Sequence, residues 1–465
     1  MRRIYYCALI SVLVAAAIFL LSCGGGGTSS SNMATVSVSI SDPPTCAGPQ
    51  GPFSHVYVTI TDVQIHTSTN AGDNDPNWVD LTPGLANNPA QVDLLGVANQ
   101  CFLAMLGSTG IQPGTYQQMR IFLADNSTAV PNNKCDTTAN CLMMAGDPTT
   151  PIPLQLSSQA KTGIKINSGQ LAGGKFVVAP GDNKDLNIDF NACRSIVPEG
   201  NGKFLLNPVL HGGEVASQSS STSISGMVVD SVTLQPIAGG HTVVALEQNR
   251  NGVDRVIMET VTESNGGFAF CPVSAGSYDV VVTAVNGAGT AYAATVITGV
   301  QPGDTLGDVP LTAAALPASI MGEITSDTGS SAIAIDLSVS ALQSISGNLL
   351  VTVPLAEQSA STATLETVPD VSCPPNTDCV DYTLGVPAAN PSIGAFNSGG
   401  NQTPAPPAAG PVGYTVDANA FMVGTNLGDC TKPNLQTNMT DMNLPLTVTA
   451  GGSATAATLA FTGCQ

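Results

Sequence analysis

Asp73-Asn74-Asp75-Pro76-Asn77 places oxygen-bearing side chains at alternate positions of a short polar run. Asp73, Asp75 and Asn77 match the opening of a calcium loop, because hard cations prefer carboxylate and carboxamide oxygens. The run departs from that pattern at its sixth position, Trp78 in place of Gly, and at its twelfth, Gly84 in place of Glu. The competing assignment is a polar turn leading into a strand, since Asp, Asn and Pro all form turns. Trp78 is the only tryptophan. Set in a loop, its ring would stack on a sugar or anchor a partner; as the start of Trp78-Val79-Asp80-Leu81 it would plug a core.

Nucleophilic hydrolysis needs a poised Ser or Cys, a His base and an orienting acid. The four histidines are His55, His66, His211 and His241, and neither a Gly-x-Ser-x-Gly elbow nor a His-Glu-x-x-His helix occurs. Gly287-Ala288-Gly289-Thr290 lacks the third glycine of a dinucleotide loop and reads as a hairpin turn. Paired carboxylates would serve glycoside hydrolysis, but most acids here sit in turns such as Asp182-Asn183-Lys184-Asp185.

Twelve cysteines occur. Cys135 with Cys141 and Cys373 with Cys379 are each six apart, as loop staples would be, and Cys430–Cys464 and Cys46–Cys101 are the remaining natural pairs. Cys193 and Cys271 are left either paired or as two thiols. Zinc would need closely spaced thiols supported by His, and no Cys-x-x-Cys is present. An oxidising compartment and a disulfide framework follow. No cofactor is implied beyond calcium at the 73–77 run.

The elements that must position these groups are β-strands. Only 10% of residues are charged, against 43% hydrophobic, with 48 Gly and 32 Pro. Thirteen bases face 33 acids for a net charge of −20, which argues against nucleic acid as a partner. Val36-Ser37-Val38-Ser39-Ile40, Val56 to Ile60 and Ile224 to Val228 alternate apolar and polar, as half-buried strands do. Val92 to Leu106 is the best helix candidate, and Asn397 to Gly413, rich in Pro, is an expected extended loop. Pro113-Gly114-Thr115-Tyr116 and Ala275-Gly276-Ser277-Tyr278 each lead into a strand. Val178, Val300 and Val448 are each followed three residues later by Gly181, Gly303 and Gly451. These echoes point to related sandwich modules in series.

Met1 to Cys23 reads as an export signal: Arg2 and Arg3, an apolar run from Ile4 to Leu21, then Ser22. Leu20-Leu21-Ser22-Cys23 resembles the lipobox of bacterial lipoproteins. That resemblance implies cleavage before Cys23, lipidation of its thiol and, with Gly24 next, an outer-membrane or cell-surface address. The expected divisions are signal 1–22, lipidated Cys and Gly/Ser tether 23–34, a first β domain 35–215, Ser-rich linker 216–222, a sandwich 223–315 and a β-rich domain 316–465, whose single base is Lys432.

Two further resemblances carry fold expectations. Val38-Ser39-Ile40-Ser41-Asp42-Pro43-Pro44, Val56 through His66, Trp78-Val79-Asp80-Leu81, Val92-Asp93-Leu94-Leu95 and Pro113 through Arg120 resemble the domain-of-unknown-function 4382 family, which implies no assigned activity. Gly226-Met227-Val228-Val229-Asp230, Gln235 through Gly239, Thr262 through Phe270 and Ala275 through Val280 resemble carboxypeptidase regulatory-like modules. That second likeness implies a transthyretin-like sandwich serving as spacer or binding module. The fold class expected is thus all-β, serial sandwiches of immunoglobulin-like or transthyretin-like type. The function expected is a non-catalytic, envelope-anchored binding or scaffold lipoprotein contacting an envelope protein or polysaccharide. An envelope hydrolase acting on glycans and a strand-pairing assembly component are the alternatives.

Overall fold

Apolar alternation becomes burial in Ala34–Ser41, where Ala34, Val36, Val38 and Ile40 are fully enclosed. Each such Val or Ile contributes about 1.5–3 kcal/mol by leaving water. The computed structural model describes residues 33–41, 53–68, 71–72, 74–95, 104–156, 163–166, 171, 175–200, 202–215, 223–239, 241–327, 335–346, 349–358, 361–367, 372–422, 430–432, 434–437 and 445–464. Almost all regular structure is strand. Among the described residues no helix is long and apolar enough to cross a membrane.

In the first module Ala34–Ser41 pairs antiparallel with Ala104–Ile111 and parallel with Asn183–Phe190, which continues to Leu210–Val215. The facing sheet is centred on Phe53–His66, flanked by Gln118–Leu123 and Cys141–Met144. One apolar core holds residues of both sheets, which makes a sandwich. The second module packs Ile224–Asp230, Gly267–Phe270 and Thr305–Leu311 over a sheet containing His241–Arg250, Val253–Val261 and Tyr278–Val285. The third sets Ala318–Ser326 and Asp378–Val386 against Ile335–Ser346 and Val412–Met422.

The sequence echoes correspond to repeated geometry. Gly181, Gly303 and Gly451 have φ of 81°, 98° and 66°, a left-handed backbone that glycine adopts at little cost. Each lies in the turn before a strand running parallel to its module's opening strand. Asp182 and Asp304 close their turns alike, accepting the N–H of Ala179 at 2.8 Å and of Gln301 at 2.7 Å. Tyr116 and Tyr278 each donate a hydroxyl hydrogen bond to the carbonyl four residues upstream, Gln112 and Ser274. Tyr414 of the third module is fully buried and bonds the Pro387 carbonyl instead.

Two expectations concern how neighbouring elements join. Of the candidate helix at 92–106, Val92 and Asp93 end the strand Ala90–Asp93, where Val92 takes Val58 as a cross-strand partner, Leu94 and Leu95 are helical, 96–103 lie outside the described residues, and 104–106 open the strand Ala104–Ile111. Residues 223–315 and 316–465 share one sheet: Val253–Val261 pairs with Leu349–Val353 and Thr295–Val300 with Ser392–Ala395. The Pro-rich stretch after Phe396 is a loop without regular structure, and Gln402 ties it to the second module by donating to the Leu306 carbonyl at 2.6 Å. Disulfides join Cys135 to Cys141, Cys373 to Cys379 and Cys430 to Cys464. Cys271 is also disulfide-bonded. Cys23, Cys46 and Cys101 lie outside the described residues.

Candidate functional site

The 73–78 run sits beside the end of the Phe53–His66 strand. Asp73 is outside the described residues. Asp75 accepts the Asn77 N–H at 2.9 Å and the Asn77 side-chain amide at 2.8 Å, and lies 3.4 Å from His66 Nε2. Those donors, the backbone N–H first, hold its carboxyl below the usual range. Trp78 is half-buried, neither a core plug nor a free platform: its Nε1 donates to the Gly72 carbonyl at 2.8 Å, and the Arg120 guanidinium covers its ring at 4.0 Å. Arg120 also lies against Phe122 and bonds Gln64. One face of the indole is thus taken by a stacked cation.

Carboxylates meet in contact pairs. Asp62 faces Asp80 on neighbouring strands, and burial followed by that neighbour pushes its carboxyl up to about 6. Asp254 faces Asp279 and is pushed up to about 7, first by burial. Glu247, fully buried next to them, is held well above the carboxylate range by burial and by Asp254. Acids in hydrogen-bond contact share protons; glycoside hydrolysis needs them about 5–9 Å apart with substrate between. His55 Nδ1 lies 2.6 Å from Asp93 and its ring stacks on Tyr57, a base and its orienting acid. His66 sits under Trp78 at 5.1 Å, and His211 pairs with Asp189 across strands. His241 opens a strand. Among the described residues no three His, Cys, Asp or Glu side chains converge as a metal would need.

The strongest polar assembly joins the second and third modules. Arg255 grips Asp417 with both guanidinium ends, and Gln436, Asn434 and Asn419 donate to the same carboxylate at 2.7, 3.0 and 3.0 Å. Sequence reading singled out neither residue. Their signal was a charge inside an apolar strand, notable in a chain with so few charges.

At the far end of the third module an open groove of about 640 Å³ lies between the Cys373–Cys379 loop and the last strand. Thr325, Asp327, Asn376, Thr377 and Thr462 give it a polar wall, with Phe461 beneath. Its hydroxyls and one carboxamide offer donors and acceptors with a single formal charge.

Residues 33–208 match the family model described as "Domain of unknown function (DUF4382)". No curated protein matches the chain. Among solved structures, the chain aligns with the TIE protein of Bacillus anthracis at 8% identity and TM-score 0.16, covering 92% of this chain and 50% of that one. It thus spans half of that protein's length. It also aligns with the minor pilin GBS52 of Streptococcus agalactiae (10% identity, 52% of this chain, 96% of that one, TM-score 0.17). A putative adhesin from Bacteroides ovatus gives 10% identity, 50% of this chain, 88% of that one and TM-score 0.17. Scores of this size do not define a shared fold.

Proposed function

We propose that the chain is a lipid-anchored, non-catalytic binding scaffold of the bacterial envelope, tethered through Cys23 and presenting its sandwich modules to an envelope polysaccharide. The groove of about 640 Å³ beside the Cys373–Cys379 loop carries this reading. Its size falls within the range of small-ligand sites, and a wall of hydroxyls and one carboxamide fits a polyhydroxylated ligand. The Arg255–Asp417 assembly makes the two distal modules a stiff arm, which suits presentation.

Pull-down of the full chain on immobilised envelope polysaccharide is the direct test. Binding should fall at least several-fold in the Asn376→Ala, Thr377→Ala double variant. Undiminished binding by that variant, or glycan turnover by the purified protein, defeats the proposal. Cys23→Ser should move the protein from the membrane to the soluble fraction; an unprocessed membrane-bound species would instead mean a helical anchor.

A second reading is favoured by one edge. Ala104–Ile111 pairs on one side only among the described residues, and an open strand edge accepts a partner strand. Crosslinking on intact cells would then recover a stoichiometric protein through residues 104–111.

A further inference from the structure

The three most exposed large apolar side chains among the described residues are Val232, Leu234 and Leu316, at 86%, 62% and 59%. All three lie at one end of the second module. Residues 231–239 follow its opening strand Ile224–Asp230, and the 286–291 turn adjoins them through the Gly287 N–H, which donates to the Ala238 carbonyl at 3.2 Å. The Ala291 N–H donates to the Ala315 carbonyl at 2.8 Å, which brings in residues 312–317, and the Gly451 N–H reaches the Pro317 carbonyl at 3.2 Å. Residues 231–239, 286–291, 312–317 and 449–453 hold no Lys, Arg, Asp or Glu, in a chain of net charge −20. A neutral end tipped with aliphatic side chains is thus set on an acidic molecule.

The tip is shaped before any partner arrives. Asp230 Oδ1 accepts the N–H groups of Val232 at 2.9 Å and Thr233 at 2.8 Å, and its Oδ2 accepts the Tyr292 hydroxyl at 3.0 Å. The Leu234 N–H donates to the Asp230 carbonyl at 2.9 Å, and Leu234 takes a φ of 54°. That left-handed backbone is strained for a bulky side chain and easy for glycine. A leucine kept there and left in water adds nothing to the core, and strain of this kind gathers where a surface makes contacts.

We propose that this end of the second module dips into a lipid bilayer, with Val232, Leu234 and Leu316 entering the boundary of the acyl chains. Anionic headgroups repel acidic surface, so the uncharged end is the one that can approach them. A protein partner would be gripped through exposed aromatic or Arg anchors. These segments offer none, and the neighbouring Tyr292 ring is 4% exposed. Three aliphatic tips hold a membrane only when a second signal keeps it near. The Cys23 anchor is that signal, so the inference rests on the lipid-anchored reading and not on the polysaccharide groove.

The full chain reconstituted on phosphatidylcholine vesicles with brominated acyl chains supplies the test, because bromine there quenches only tryptophan that enters the bilayer. Leu316→Trp should shift its added emission to the blue and lose most of it, while Trp78 of the wild-type chain keeps its own. Adding Val232→Asp and Leu234→Asp to that variant should restore the emission. Should Leu316→Trp not fold, Val232→Trp, at the most exposed of the three positions, is the second reporter. Unquenched emission from a chain that floats with the vesicles overturns the proposal and leaves the anchor standing; a chain that does not float overturns both. Quenching indifferent to the two aspartates also defeats it. A photo-crosslinker in place of Val232 should capture lipid on intact cells, and capture of a protein instead assigns this end to a protein partner and ends the bilayer reading.

Discussion

At the boundary between the second and third modules, backbone pairs with backbone at two places and Arg255 grips a carboxylate satisfied by its neighbours' amides. At the boundary between the first and second, side chains meet instead. Asn191 donates to the Glu259 carbonyl at 3.1 Å, and a cavity of about 20 Å³ between Asn187 and Asp189 on one side and Met258 and Tyr278 on the other remains nearby. Continuous pairing leaves few polar groups to be matched one by one. A junction built from side chains must match each, and Asp189 is one it left over. The first joint is therefore rigid by topology, the second only by chemistry.

The largest effect is expected from breaking the stiff joint. Asp417→Ala leaves Arg255 inside without its counter-charge and should cost about 3–5 kcal/mol. Urea unfolding followed by far-UV circular dichroism should show it, while fluorescence of Trp78, which reports the first module alone, should hardly move. A shared shift in both signals would mean that the three modules unfold as one unit.

A smaller effect follows from the acids inside the same block. Asp254 titrates at about 7 in the fold, against about 3.9 in an unfolded chain. The folded state binds more protons between those values, so stability is greatest on the acid side and is lost as pH rises through 7. Asp254→Asn should remove about 2 kcal/mol of the decline between pH 5 and pH 8. Glu247, also raised, should leave a residual slope. A wild-type chain more stable at pH 8 than at pH 5 would contradict both assignments.

The looser joint should respond less to single truncations. Asn191→Ala removes the bond to Glu259 and should cost about 1.5 kcal/mol, read by denaturant midpoint. Smallest are the two tyrosine corners: Tyr116→Phe and Tyr278→Phe should each cost about 1 kcal/mol, with equal losses if the corners are equivalent. Unequal losses would rank the modules by how firmly each turn is held.

What sequence could show is what the chain writes locally. Gly181, Gly303 and Gly451 announce their turns because a left-handed backbone selects glycine, and Cys135–Cys141 and Cys373–Cys379 are close enough for spacing to pair them. Val36 to Ile40 alternates because one face is wet and the other dry. The merging of the last two modules rests on Arg255 meeting Asp417 across 162 positions, which no local pattern records. The same holds for the groove, whose walls come from residues near 325, 376 and 461. Trp78 was legible as an aromatic beside a polar turn, but the cation over its ring comes from Arg120, on a strand whose register sequence alone does not state.

Each module's opening strand lies beside one that is synthesised far later: Val36 beside Lys184, Val228 beside Val309, Ile320 beside Ala454. A chain emerging amino end first must carry that flank unmated until its closing partner arrives. Biogenesis thus runs through three successive vulnerable windows, the first and last the longest. A holdase guarding this protein would be needed on that timetable.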